Sequence, residues 1–430
     1  MVSLTEKEPI GQALSPANGK ELLSSQENYR KLIESSVPTI LQAQNPVTGL
    51  FPASTKERNV HPYHRHWVRD GSITAGAFWD PYFLKIFPPE SKIGGKAIES
   101  AASFMKEMLD LANREPWKSA FEQESEEAKD KEGHLLGYRV LTREAPPIHF
   151  ETDGRQAFWD RQNQPDCWGE LLISLGSGLK QNLISLDTSR QDAVESIVGY
   201  LSRIKVTELE QSSMWEGCPV YSPAPLSSVA IVAKGLEQIS SFVSAVSKKS
   251  IKRAVFNARK FAEDNYPKEH TIPFGHHSET DLATLVALGL GALDGFSLSP
   301  YFIKSNSQLG NGQWPGKKRF IGDTYYGVEG KEAIWTMGAL FEAKILLEKA
   351  INLSNNGDRD TGKKFQAKGL VCLKKVIDLQ NQHGYLPELL DQRGGGLTPN
   401  NNHILWNEAL LVQVCARAII AENSNPTRPN

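Results

Sequence analysis

The chain has 430 residues, of which 40% are hydrophobic and 23% charged, a balance that permits a full buried core. Its formal net charge of −2 gives no basic face, which argues against a nucleic-acid or polyanion partner. No stretch reaches the roughly 18 consecutive apolar residues of a membrane span, and the opening residues MVSLTEKEPIGQALSPANGKE hold no apolar run of signal-peptide length, so the expectation is a cytosolic protein with no membrane partner.

Residues 1–24 are polar, with Gly, Pro, Ser and Asn interspersed, and read as a tail. A single catalytic-type domain is predicted over 25–422, followed by a second tail over 423–430. Apolar residues at helical spacing predict helices near 27–41, 72–86 and 96–112, the last placing Ala97, Ala101, Phe104, Met108 and Leu109 on one face. The run FEQESEEAKDKEG is strongly charged and reads as a solvated loop. Strand signals are sparse. The best are Tyr138–Thr142 and Ile148–Glu151, separated by the turn-forming Pro146 and Pro147.

Further helices follow. Trp168, Leu171, Leu172, Leu175 and Leu179 form one face of a helix near 166–181. Others are predicted near 191–204, 225–242, 250–264, 280–293, 329–350, 364–380 and 404–421. The last is apolar nearly all round, as suits a helix enclosed by a second helical layer. About eleven helical segments without a fixed internal repeat leave a bundle or a closed toroid of helical hairpins, and periodicity does not choose between them.

The chemistry-bearing residues fall in loops before or between these helices. In HRHWVRDGS (64–72), Arg69 and Asp70 stand side by side: a guanidinium fork donates to sugar hydroxyls and a carboxylate accepts from them. The plainer reading of Asp70 is a helix N-cap. In QSSMWEGCPVYS (211–222), Glu216 follows Trp215, and a carboxyl partly desolvated by an indole suits a general acid. In GYLPELLD (384–391), Glu388 follows Pro387, a pattern that also fits the first turn of a helix. Around these stand Trp67, Trp168, Arg319, Asp323, Tyr325, Tyr326 and Trp406. Aromatic faces beside acids are what a sugar pocket uses, although core packing competes for each aromatic taken singly.

Cys167, Cys218, Cys372 and Cys415 are scattered and are expected to be reduced thiols. Cys218 has no evident His partner for nucleophilic work. His61, His64 and His66, and the pair His276–His277, fit no strong metal-ligand spacing, so neither a metal nor another cofactor is expected.

Taken in order, GLFPAS, HWVRDG, QPDCWGELL, MWEG, PLSSVAIVAKGLEQI, RFIGDTYYG, GYLPELLD and ILWNEALL resemble glycoside hydrolase family 15, the glucoamylases, over roughly residues 27–421. They resemble still more closely the related amino-terminal domain of the phosphorylase kinase α and β subunits. The resemblance implies an all-α (α/α)₆ barrel, a six-hairpin toroid, with a pocket at its loop end and a small strand excursion near 138–151. It implies an α-glucoside as substrate and cleavage with inversion, with Glu216 as general acid and Glu388 as general base. Substrate contacts would come from Trp67, Arg69, Asp70, Trp168, Trp215, Arg319, Asp323, Tyr325 and Trp406, with Arg69 and Asp70 on the terminal glucose. One position departs from the glucoamylase pattern: Gly217 stands where a second acidic residue is common, which bears on substrate length. The regulatory subunits supply an alternative, a sugar-binding protein without turnover. A third reading, a helical scaffold for protein partners, would require a large exposed apolar patch.

Overall fold

The computed structural model describes residues 26–55, 64–129, 132–133, 135–140, 145–155, 163–209, 211, 214–215, 224–269, 280–310, 315–323, 332–391 and 403–424. Its helices, in chain order, are α1 (Gln26–Ala43), α2 (Val68–Phe78), α3 (Pro81–Ile86), α4 (Lys92–Ala112), α5 (Trp117–Ala120), α6 (Pro165–Lys180), α7 (Thr188–Arg203), α8 (Leu226–Ile239), α9 (Ala245–Asn265), α10 (Leu282–Gly289), α11 (Leu298–Gln308), α12 (Met337–Asn355), α13 (Arg359–His383) and α14 (Leu405–Ser424). The short strands are β1 (His66–Trp67), β2 (Glu126–Lys129), β3 (Leu135–Arg139), β4 (His149–Phe150), β5 (Ala333–Trp335) and β6 (Leu389–Asp391).

Six helices form an inner ring. α2 packs on α6, α6 on α8, α8 on α10, α10 on α12, α12 on α14, and α14 returns to α2. The long helices α1, α4, α7, α9 and α13 lie outside them: α1 on α14, α4 on α2, α9 on α8 and α13 on α12. Burial separates the two layers as a toroid requires. All eight residues of α10 are buried, whereas α9 buries only Ile251, Ala258 and Ala262. Close approach within the ring depends on small residues: a Cβ on Gly235 of α8 would fall 2.4 Å from the Gly169 carbonyl oxygen of α6. The architecture is a helical toroid of inner and outer helices, with small antiparallel strand pairs at its loops.

Several elements differ from the sequence reading. The predicted helix at 72–86 is two helices, because Pro81 begins α3 and the Asp80 side chain caps it by accepting from the Tyr82 amide at 2.9 Å. The charged run is not only a loop. Glu126–Lys129 forms β2, exposed and antiparallel to β3, with a register shift at Ala128–Lys129. An exposed edge ladder needs only backbone groups, so charged side chains do not prevent it. The two predicted strands do not pair with each other: β3 pairs with β2, and β4 pairs with β1. The start of the predicted 329–350 helix is β5, paired with β6. Helix α11 was not predicted; only Tyr301 and Ser305 are buried on it, too few to give a periodic signal.

Candidate functional site

The N-terminal ends of the inner helices carry the chemistry-bearing residues: Arg69 and Asp70 on α2, Asp166 and Glu170 on α6, Ser227 on α8, Asp281 at the cap of α10 and Asn407 on α14. Unpaired amide N–H groups gather at such ends, and acceptor side chains there meet a favourable field.

Pairing of β1 with β4 sets up the first part of the site. The Val68 amide donates to the Ile148 carbonyl at 2.9 Å, and His66 and Trp67 pair with Phe150 and His149. His66 is structural. Its Nδ1 bonds the Phe51 carbonyl oxygen at 2.8 Å, and burial pushes its pKa down to about 4. Asp70 is not an N-cap, since α2 begins at Val68 and the cap residue Trp67 makes no side-chain cap bond. Arg69 and Asp70 are both buried. The Arg69 guanidinium donates through Nε to Asp70 Oδ1 at 3.4 Å and through Nη1 to the Met214 carbonyl. It lies 5.7 Å from the Trp67 ring and 5.5 Å from the Trp406 ring.

Met214 leads directly into a second cluster. The Trp215 indole N–H donates to Asp281 Oδ1 at 2.6 Å, and its ring lies 6.2 Å from that of Trp335. Arg319 packs against both indoles, 5.5 Å from Trp215 and 4.3 Å from Trp335. It donates to Asp323 in a two-pronged pair, Nε to Oδ2 at 2.9 Å and Nη2 to Oδ1 at 2.8 Å. The Trp335 indole N–H also donates to Asp323 Oδ2, at 2.8 Å.

Glu388 joins this wall through the β5–β6 ladder. It precedes β6, not the first turn of a helix, and is buried. Leu389 pairs with Trp335, and the Thr336 amide donates to the Glu388 carbonyl at 3.1 Å. The Asn407 side chain donates to Thr336 Oγ1 at 3.0 Å and to the Pro387 carbonyl at 3.4 Å, which ties Glu388 to the start of α14 beside Trp406. The wall therefore brings together Trp67, Arg69, Asp70, Trp215, Arg319, Asp323, Trp406 and the backbone of Glu388. Trp168 joins a different aromatic group: its ring meets Phe121 edge-on at 4.7 Å, and Phe121 in turn meets Tyr200. Glu216, Gly217, Cys218, Tyr325, Tyr326, His61, His276 and His277 lie outside the described residues. Among the described residues Cys167, Cys372 and Cys415 form no disulfide with one another. Among the described residues no group of three or more His, Cys, Asp or Glu is placed to hold a metal ion.

Four acidic residues that the sequence reading did not single out belong to this region. Asp166 and Glu170, one helical turn apart on α6, are buried, and among the described residues none of their carboxyl oxygens has a hydrogen-bond partner within normal distance. Burial raises Asp166 to about 6 against the opposing pull of Arg69, and burial together with the Asp166 charge holds Glu170 well above the carboxylate range. Asp70 is raised by burial too, with Arg69 again opposing. Glu269 and Asp281 form a second buried acidic pair, Glu269 raised to about 8 by burial and by the Asp281 charge. The signal that could have found Asp281 is its place before the apolar run LATLV, where an acidic residue caps a helix.

The fold is that of known glycosidases. Over 93% of this chain and 98% of the other, it superposes on a wild-type glycosidase at TM-score 0.64 and 18% identity, and on a variant glycosidase in complex with glucose at 0.62 and 17%. The glucoamylase of Saccharomycopsis fibuligera matches over 92% of this chain and 96% of its own, with TM-score 0.66 and 14% identity. No curated protein matches in sequence. The sequence pattern of the glycosyl hydrolases family 15 matches residues 27–260, and the chain belongs to that family. It is thus a glycoside hydrolase, with a carbohydrate as the class of substrate. Among the described residues no helix is long and apolar enough to cross a membrane.

Proposed function

We propose that the chain is an inverting glycoside hydrolase that releases glucose from the non-reducing end of α-linked glucosides, either maltooligosaccharides or small α-glucosides. Residues 25–422 form its catalytic-type domain. Glu216 is the general acid, protonating the leaving oxygen, and Glu388 is the general base, activating a water on the opposite face of the sugar. This chemistry calls for a carboxyl separation of about 6.5–9.5 Å. Arg69 and Asp70 hold the terminal sugar, and the indoles of Trp67, Trp215 and Trp406 pack on its apolar faces. Tyr325 and Trp168 complete the candidate contacts. Arg319 and Asp323, bonded to each other, belong to the candidate substrate contacts as well.

The observation that carries this reading is the continuous chain of contacts from Arg69 through Met214–Trp215 to Arg319, Trp335 and the strand start at Glu388. It supports the reading by tying the backbone at Glu388 to the strand that carries Trp335, against which Arg319 packs. The test is incubation of the purified protein with maltose and maltotriose, with NMR of the first product. Release of β-glucose is expected, and Glu216→Gln and Glu388→Gln should each cut turnover by about 10³-fold or more. Release of α-glucose would refute inversion. Tight glucoside binding with no release would favour a regulatory protein, and residual activity above a tenth in both variants would reject the two assignments.

A further inference from the structure

The geometry points to Glu269 and Asp281 as a positioning pair for Glu216, gripping the chain on both sides of the segment that carries it. The inference rests on the reading of Glu216 as general acid. On the upstream side, Asp281 Oδ1 accepts from the Trp215 indole N–H at 2.6 Å and from the Ala283 amide at 2.8 Å. Trp215 is the residue immediately before Glu216. On the downstream side, the Glu269 carboxylate accepts from the Ser227 amide at 3.1 and 3.2 Å and from the Ser227 hydroxyl, while its carbonyl accepts from the Leu226 amide at 3.1 Å. Leu226 and Ser227 are the first residues of α8.

One short helix links the two grips. Asp281 caps α10, and Thr284, three residues on, donates to Glu269 Oε2 at 2.7 Å. All of α10 is buried, and the Tyr301 hydroxyl fixes the Asp281 carbonyl at 3.0 Å, so the anchor itself has little freedom. Two buried carboxyl groups this close do not both ionise readily, and the raised pKa of Glu269 fits one of them keeping its proton at neutral pH. The arrangement costs folding energy and does not itself require a sugar. Its return is orientation: misplacing a reacting group by about 1 Å costs on the order of 10²-fold in rate.

The test separates proton donation from everything else. Maltose needs its leaving oxygen protonated, whereas α-glucosyl fluoride loses a fluoride that departs with little proton assistance. Asp281→Leu removes the acceptor, and Trp215→Phe removes the donor while keeping an aromatic face. Each is expected to lower kcat on maltose by about 10- to 100-fold and to lower α-glucosyl fluoride turnover severalfold less. Because both break the same bond, the double variant should lose little more than the worse single. Asp281→Asn, which retains the acceptor, should recover most of the maltose activity, and Glu269→Gln should show the same selective loss in weaker form. Equal losses on the two substrates, or full maltose activity in Trp215→Phe, would overturn the inference. If Asp281→Leu does not fold, Trp215→Phe carries the test alone. Failure of the underlying reading is distinct: Glu216→Gln would then hydrolyse maltose normally or lose both substrates alike.

Discussion

Arg319 and Arg69 stand on neighbouring parts of one wall, each buried and each against two indoles, yet the acids around them are arranged in opposite ways. Arg319 meets Asp323 in a two-pronged bond, and that carboxylate also receives the Trp335 indole N–H. Both oxygens of that carboxylate accept from the guanidinium. Among the described residues Arg69 donates to a backbone carbonyl and to one oxygen of Asp70, at 3.4 Å, while Asp166 and Glu170 lie near enough to feel its charge. Among the described residues its charge thus acts on three buried acids, Asp70, Asp166 and Glu170. The first arrangement suits a scaffold. The second leaves acceptors and protonation states unsettled, as expected of a surface that a polyhydroxylated ligand completes.

The contrast breaks first at Arg319. Arg319→Met leaves Asp323, fully buried, without both guanidinium bonds, and should lower unfolding free energy by about 3–5 kcal/mol. Urea unfolding measures it, and Asp323→Asn in the same chain should recover at least half, because the stranded charge is then gone. A loss below 1 kcal/mol would mean that this pair is not the closed unit described. Arg69→Met should cost less, about 1–3 kcal/mol, because its acids can take up protons. The sign follows from the raised carboxyls: without the guanidinium their folded pKa values rise further above the unfolded ones, so stability is lost as pH rises. The cost should therefore be greater at pH 8 than at pH 5, and equal costs at both would remove the distinction between the two arginines.

Asp166 sharpens the same point with the opposite sign. Its folded pKa, about 6 against an ordinary 3.8, means that the wild-type chain loses stability as pH rises from about 4 to about 6. Asp166→Asn should be indistinguishable from wild type near pH 3.5 and more stable above pH 6, by at most about 3 kcal/mol at 1.36 kcal/mol per tenfold. Thermal melts at pH 3.5, 5 and 7 follow the gap directly. A gap that does not change with pH would show that Asp166 ionises freely in the folded state.

What the sequence disclosed follows the same division between closed and open arrangements. The inner helices were legible because α6, α8 and α14 bury most of their residues and write that burial into apolar spacing. The outer layer was thinner: α11 buries two residues, and its identity as a helix depends on what it packs against. The Arg69–Asp70 and Arg319–Asp323 pairs could be read because both partners lie within one short motif. Glu269 could not, and Asp281 reads as no more than a helix cap, until the fold brings Asp281 to the Trp215 indole and Glu269 to Ser227. β2 was hidden for a related reason: its charged residues carry no pattern, and its pairing with β3 is a matter of backbone.

The smallest expected effect tests whether the Arg319 unit owes its strength to charge or to the number of donors. Trp335→Phe keeps the ring that flanks the guanidinium at 4.3 Å but removes the indole N–H that reaches Asp323. Asp323 keeps both guanidinium bonds, so no charge is stranded, and a single neutral donor to a carboxylate is worth about 1–2 kcal/mol. If charge dominates, the loss measured by urea unfolding stays well under that of Arg319→Met. If the two losses come out equal, three-donor closure of the Asp323 carboxylate, not neutralisation, holds this side of the wall, and the indole becomes as necessary as the arginine.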